Sequence, residues 1–436
     1  MLTNQEKTFN WQSGVTDGEA ATVLAAAIAD NVNGARPALM FHNLDALAAR
    51  IQHLQSCFPE QTLHALAIKA NPLLTLLRFA VHCGMGLEAA SLEEVALARA
   101  AGCPAAHIVY DSPAKTRHEL AQALAWGVTI NADSLQELER IKRILDTSVS
   151  SSLIGLRVNP QVGSGQIDML SVSGQYSKFG EPLSEKRGAI IQAFRRYPWL
   201  RALHVHVGSQ GIAQQQMVLA VERMFELRAE IHDLLGEERI QSVDIGGGLP
   251  WCYQDQETIA TPAKYMAELK NRIPASCLND IRLITEFGRA LHAGSGFAAS
   301  QVEYLKEDIG KRTAVLHFGA DLFMRKVYQP GIWHHRISVH NSDGSLKLGE
   351  VLPHTLVGPL CFGGDILADN ILLPAIEEGD WVVLYNTGAY TLSLWSRHCN
   401  RGLPKVVGYT PDPVRFQVLF AGESPEDVVR FWDTVA

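Results

Sequence analysis

From residue 63 to 289, short apolar or β-branched runs alternate with stretches whose apolar residues recur at three and four. That alternation predicts βα units around a parallel sheet. The candidate strands are LHALAIK (63–69), MGLEAAS (85–91), HIVYDSP (107–113), VTINADS (128–134), LIGLRVN (153–159), ALHVHVG (202–208), SVDIGGG (242–248) and RLITEFG (282–288). Helical stretches such as LEEVALARAAG run between them, with Gly102 as a C-terminal stop. Eight units over about 230 residues is the size of an α/β, TIM-like (β/α)8 barrel. An open doubly wound sheet is the alternative, but Lys69 is followed by ANP and not by GxGxxG.

After about residue 295 the pattern changes to short strands with turn signals, among them HRISVHNSDGSLKL, where SDG marks a hairpin, and DWVVLYNTGAY. The expected organisation is an N-terminal segment (1–36), a barrel region (37–295) and a C-terminal mostly β domain (296–436). ALMFHN (38–43) also reads as a strand, lies outside the count of eight, and is a candidate to join the β domain.

The 436 residues, 47% of them apolar, suit a barrel plus a smaller companion with ample core. A net charge of −8, spread without a basic run, argues against nucleic acid or anionic membrane as partners. No apolar run reaches the ~18 residues of a membrane span, and the N-terminus lacks a signal-peptide profile, so a cytoplasmic location is expected. Seven cysteines without CxxC or metal-finger spacing fit reduced cytosolic thiols.

In a barrel, residues at the C-terminal ends of strands line the active face, which selects Lys69, Glu88, Asn159, His206, Gly246 to Gly248 and Glu286. A lysine leaving an apolar strand either snorkels to water or meets a group that uses its amine. Three glycines after a strand let backbone N–H groups approach an anion, usually a phosphate, although they also serve any tight turn. Arg289 can fork onto a phosphate and Glu286 can face a ring nitrogen, the alternative being a surface Arg–Glu pair. His204 and His206, two apart on a strand, share a face, but no third ligand is evident and no metal is expected. Ring stacking by His206 and small donors from Gly208 and Ser209 fit better. An amine, a phosphate cradle, a carboxylate and a flat imidazole are the parts that hold pyridoxal 5'-phosphate.

AIKANP, GMGLEAASLEE, RVNP with KFG at 178–180, HVHVGSQ, DIGGG, EFGR, GPLCFGGD and NTGAY occur in that order. With them, residues 37 to 420 resemble the alanine-racemase-type (fold type III) pyridoxal-phosphate decarboxylases, the group holding diaminopimelate, ornithine and carboxynorspermidine decarboxylases. The motifs are most like those of the diaminopimelate decarboxylases. The resemblance implies a two-domain, alanine racemase-like fold in which Lys69 carries the coenzyme as a Schiff base and His206 stacks on its ring. It implies that Ser209, Gly246, Gly247, Gly248, Gly288 and Arg289 hold the phosphate, and that Glu286 pairs with the ring nitrogen. Cys361 and Tyr390 would complete the site, with Cys361 or Lys69 returning a proton to the product carbon. Cys361 would reach across a head-to-tail homodimer with two shared sites.

Phe287 stands where the family has proline in EPGR, and NTGAY stands for DAGAY. The larger departure is Phe362, at a position where diaminopimelate and ornithine decarboxylases carry an acid for the substrate's distal ammonium. Losing that charge-assisted hydrogen bond forfeits ~1.5–3 kcal/mol and keeps the desolvation cost; a cation–π contact returns ~0.5–2 kcal/mol. An arginine four residues before a substrate-facing tyrosine, here Tyr328, is also missing: Met324 occupies the position and Arg325 follows it. Together these changes point to a small-molecule, amino-acid-type substrate without the usual ammonium, for instance a larger conjugate such as a carboxylate-rich siderophore precursor. Diaminopimelate decarboxylation is the alternative. Racemisation or a coenzyme-binding homologue without activity are the readings of other classes; Glu286, where alanine racemases use arginine, favours decarboxylation, and the retained lysine and phosphate site favour activity.

Overall fold

The computed structural model describes residues 10–34, 36–167, 170–254 and 259–433. Of the expected N-terminal segment, residues 1–9 and 35 lie outside the described residues. The chain divides into two compact units: residues 50–251 with 259–290, and residues 1–49 with 252–258 and 291–436.

Ten strands follow one another over the first two thirds of the chain: β1 (Ala38–Asn43), β2 (Leu63–Ala67), β3 (Gly86–Ala89), β4 (Ile108–Asp111), β5 (Thr129–Ala132), β6 (Ile154–Asn159), β7 (Glu181–Pro182), β8 (Leu200–His204), β9 (Ser242–Asp244) and β10 (Arg282–Thr285). In the first unit the order is β5-β4-β3-β2-β10-β9-β8-β6, and a further β5–β6 pairing closes the circle. Every pairing in that circle is parallel. The result is the eight-stranded barrel that the alternating pattern predicts; the two-residue β7 only flanks β6.

The helices between strands start where short polar side chains accept orphan N–H groups: Ser91 caps Leu92–Ala100, Thr116 forms a capping box with Glu119, and Ser134 caps Leu135–Leu145. Each places its N-terminus on the barrel's active face. The strands are shorter than the apolar runs. Pairing of β2 with β3 ends at Ala67↔Glu88, and Ile68–Ala70 forms a 3-10 turn, so Lys69 rides on a turn one step beyond its strand. His206 and Glu286 likewise follow the last paired residues of β8 and β10.

The second unit contains β1. Its six-stranded sheet places β1 between β11 (Gly296–Gln301), antiparallel to it, and the parallel strand Lys405–Pro411. A four-stranded sheet from residues 304–374 stands beside it in sequence. The helix Asp17–Ala29 packs Ala20, Val23, Leu24 and Ala27 onto Leu39, Phe41, Phe297 and Trp381. The SDG signal is a turn, with the Gly344 N–H donating to Asn341 O. No helix among the described residues is long and apolar enough to cross a membrane.

Candidate active site

Lys69 Nζ lies 2.5 Å from Glu88 Oε1; the lysine side chain is 39% exposed, while that of Glu88 is wholly buried. Burial pushes the Glu88 carboxyl up, to about 8, against the pull of the Lys69 ammonium. The enclosed carboxyl therefore resists ionisation even beside the amine. The strand register explains the meeting: Glu88 is the β3 partner of Ala67, and the 3-10 turn swings the amine back over it.

The glycine run follows β9 in backbone conformations that side chains resist. Gly246 has φ +68° and Gly248 +116°; a Cβ on Gly246 would stand 2.5 Å from Val205 O, and one on Gly247 2.6 Å from Glu286 O. A Cβ on Gly288 would meet Ala70 Cβ at 2.8 Å. Nearby, Arg289 donates from Nε and Nη2 to Ser209 Oγ at 3.3 and 3.2 Å. A buried guanidinium, a hydroxyl and side-chain-free backbone form an anion cradle.

His206 accepts the Gly247 N–H at Nδ1, 3.0 Å away, so its proton sits on Nε2. Burial, reinforced by Arg157, pulls this imidazole down to about 3 and keeps the ring neutral. A neutral flat ring is suited to stacking and adds no charge against a cationic heterocycle.

Glu286 is buried, and its Oε1 has no hydrogen-bond partner among the described residues. Burial opposes its charge, yet His204 outweighs burial and holds the carboxyl down at about 2. An enclosed, ionised carboxylate is what a protonated ring nitrogen requires. The donor set of the barrel thus fits pyridoxal phosphate: amine, anion cradle, flat neutral ring and carboxylate. Lys69 is also within electrostatic reach of both His206 and Glu286, so these selected residues converge; Asn159 instead donates to Gly174 O and accepts the Gln161 N–H, both at 3.0 Å.

Three neighbours escape the motif reading. Asp111, at the end of β4, accepts from Arg157 Nη1 at 3.0 and 3.3 Å; burial works against its charge, but Arg157 holds it well below the usual carboxylate range. Arg157, the arginine of RVNP, lies 4.5 Å over the Phe179 ring of KFG, which explains why those two motifs occur together. Asp244, the acid before the glycines, accepts from Asn131 Nδ2 and the Gly246 N–H, both at 2.9 Å. An acid at a strand end was the available signal for Asp111 and Asp244; nothing in the spacing announces the Arg157 pair. Asp111, His204 and Glu286 bring ligand-type atoms within 4.8 Å of one another. Arg157 already satisfies Asp111, which is the opposite of what a cation site needs.

Phe287, in place of the family's proline, is 1% exposed and packs edge-on to Tyr265 and tilted against Phe58. The departure is a core substitution and leaves the spacing of Glu286, Gly288 and Arg289 intact.

Cys361, Phe362, Tyr328 and Tyr390 belong to the second unit. Cys361 is exposed. The Tyr328 and Phe362 rings are stacked, centroids 5.7 Å apart at 21°. Tyr390 holds φ +57°, a left-handed conformation costly for an aromatic residue, and the Arg325 guanidinium lies 4.8 Å over both its ring and that of Trp333. Asp365 accepts the Ala320 N–H at 2.6 Å and the Leu360 N–H at 2.9 Å, closing the loop that displays Cys361 and Phe362.

A family model described as pyridoxal-dependent decarboxylase, pyridoxal binding domain, matches residues 44–293. A diaminopimelate decarboxylase of Pseudomonas fluorescens is 32% identical over 373 residues, 82% of this chain and 85% of the relative. One from Helicobacter pylori is 27% identical over 379 residues, 85% and 89% of the two chains. The crystal structure of Helicobacter pylori diaminopimelate decarboxylase complexed with L-lysine superposes with a TM-score of 0.81 at 24% identity, covering 93% of this chain and 99% of that one. The Vibrio vulnificus lysine/ornithine decarboxylase complexed with putrescine gives 0.72 at 21%, covering 89% and 98%. The fold is shared with both, and the family match takes in the whole run from Lys69 to Arg289: the chain belongs to the pyridoxal-phosphate-dependent decarboxylases of the alanine racemase-like, two-domain type.

Proposed function

We propose that this decarboxylase acts at the α-carbon of an amino acid or amino-acid conjugate whose far end carries no ammonium, for instance a carboxylate-rich siderophore precursor. The observation that carries the reading is Phe362: its ring is stacked on Tyr328 at the position where relatives of known substrate place an acid. An ammonium there would face two phenyl-type rings without a carboxylate to pair with. Arg325 and Lys326, on the short helix that ends in Tyr328, supply cations suited to a carboxylate-bearing substrate. A second reading, diaminopimelate decarboxylation, is supported by the names of the relatives.

Pyridoxal phosphate, when bound, supplies the electron sink for the pair left behind as CO₂ departs. Glu286 holds a proton at the ring nitrogen and so keeps that sink deep. Arg289, Ser209 and the glycine N–H groups bind the phosphate and fix the ring in the barrel. His206 covers the ring face and excludes water from it. Lys69 Nζ binds the coenzyme at rest, and Glu88 Oε1 takes or returns its proton. Cys361 or Lys69 returns a proton to the product carbon.

The roles of Cys361, Tyr328, Phe362 and Tyr390, and a head-to-tail homodimer with shared sites, rest on the family resemblance. The test of the substrate reading is CO₂ release from diaminopimelate, ornithine, lysine, arginine, glutamate and citrate-conjugated diamino acids. Turnover of a conjugate with weak turnover of diamino acids supports it, and Phe362→Glu is then expected to raise diamine turnover. Strong turnover of diaminopimelate by the native enzyme contradicts it.

A further inference from the structure

Behind Glu286 lies a group that the chemistry above does not use. His204 ends β8 and is completely enclosed. Its Nδ1 lies 3.7 Å from Asp111 Oδ1 and its Nε2 3.7 Å from Glu286 Oε1. Neither ring nitrogen has a hydrogen-bond partner among the described residues. A neutral imidazole carries one N–H and one lone pair, so between two carboxylates it would set its lone pair against an anion on one side. The imidazolium presents an N–H to each. Asp111 is held as an anion by Arg157, so it cannot be the group that supplies the missing proton.

We propose that His204 is a positioning residue acting through Glu286: a buried imidazolium, braced by the Asp111–Arg157 pair, that holds Glu286 as an ionised acceptor aimed at the coenzyme's ring nitrogen. The line of groups runs Arg157, Asp111, His204, Glu286, ring nitrogen, and it alternates in charge along its length. Glu286 cannot take the ring's proton for itself while an imidazolium stands behind it, so the proton stays on the ring. The proposal rests on Glu286 facing that nitrogen, as assigned above.

The other charged groups around His204 are compatible with this. Asp244 on β9 faces it, and burial followed by the Glu286 charge pushes Asp244 well above the usual carboxylate range, so it adds little negative charge. His206, next on the same segment, is neutral. Burial pulls the His204 imidazole down, yet the negative neighbours, Asp111 first and Glu286 next, outweigh it and lift it to about 9. A packing role alone would be served by any ring of this size.

Two measurements decide it. In the coenzyme-free native protein, ¹⁵N shifts of His204 near neutral pH are expected to show both nitrogens protonated. A neutral tautomer, or ordinary titration near the free-histidine value, overturns the proposal without the need for any variant. In the loaded protein, His204→Gln keeps size and an N–H but loses the charge. Its visible absorbance band is expected to titrate at a pH shifted by at least about one unit, with kcat lowered and KM retained. Glu286→Gln is the control. If Glu286→Gln moves the band and His204→Gln does not, the role of His204 is refuted and the site stands. If neither moves it, the placement of Glu286 falls and the proposal with it.

Discussion

Two lysines of the barrel show what suits one of them, and not the other, to carry a coenzyme. Lys115 is 4% exposed and committed: its Nζ donates to Ser112 O at 2.5 Å and Asn131 O at 3.0 Å and pairs with Glu137 at 3.0 Å. Lys69 is partly exposed and paired with an acid whose own charge is disfavoured. The sequence shows Lys69 as a cation at the end of an apolar run, but not the acid beneath it, because that meeting depends on the register between β2 and β3. Its pH consequence follows from the direction of the shift. Glu88 binds its proton more tightly folded, at about 8, than at its ordinary 4.5. Its contribution to stability is therefore complete below about 4.5 and lost as pH rises through about 8. His204, lifted to about 9 from 6.5, acts in the same direction. The thermal midpoint of the coenzyme-free protein is expected to fall from pH 5 to 9, and Glu88→Gln to flatten that fall; an unchanged slope in the variant would show that Glu88 is ionised throughout.

At the scale of elements, the eight strands were legible because the barrel buries both faces of each, leaving apolar runs that stand out from the helices. Their ends were not. The runs HVHVG and ITEFG continue apolar beyond the last paired residue, since the site residues themselves sit in a buried crevice and need the same kind of neighbours. Phe287 is a clear instance: by hydrophobicity it belongs to the strand, by pairing it lies two residues past it. The glycine loop was legible as a turn, and only the structure shows what forbids a side chain there. Gly247→Ala would force a Cβ against the Glu286 carbonyl, and an overpacking cost of about 1–3 kcal/mol is expected. Titration with pyridoxal phosphate should show weakened binding, together with a lowered thermal midpoint; native-like affinity would exclude this loop from the cradle. In the second unit, Asp365→Ala would strand the Ala320 and Leu360 N–H groups at ~1–3 kcal/mol each. The expected result is faster proteolysis within the loop carrying Cys361 and Phe362, measured by cleavage-site mapping.

At the scale of the molecule, the chain leaves the second unit after residue 49, builds the barrel and returns. The ALMFHN run signals a strand, but its place between two strands from the far end of the chain comes from pairings of about 260 and 365 residues' separation, which no local period encodes. The proposed shared-site dimer is testable by mixing Lys69→Ala and Cys361→Ala, once each alone is shown to be inactive. Random reassociation is expected to restore roughly a quarter of the native sites, and a mixture as inactive as its parents would argue for sites complete within one subunit. The central claim is that Lys69 is the attachment point for pyridoxal phosphate. Borohydride reduction of the loaded protein followed by peptide mass mapping tests it directly: a reduced pyridoxyl label on Lys69, absent in Lys69→Ala, is the expected result, and a label on Lys115 or on no lysine at full coenzyme loading would contradict it.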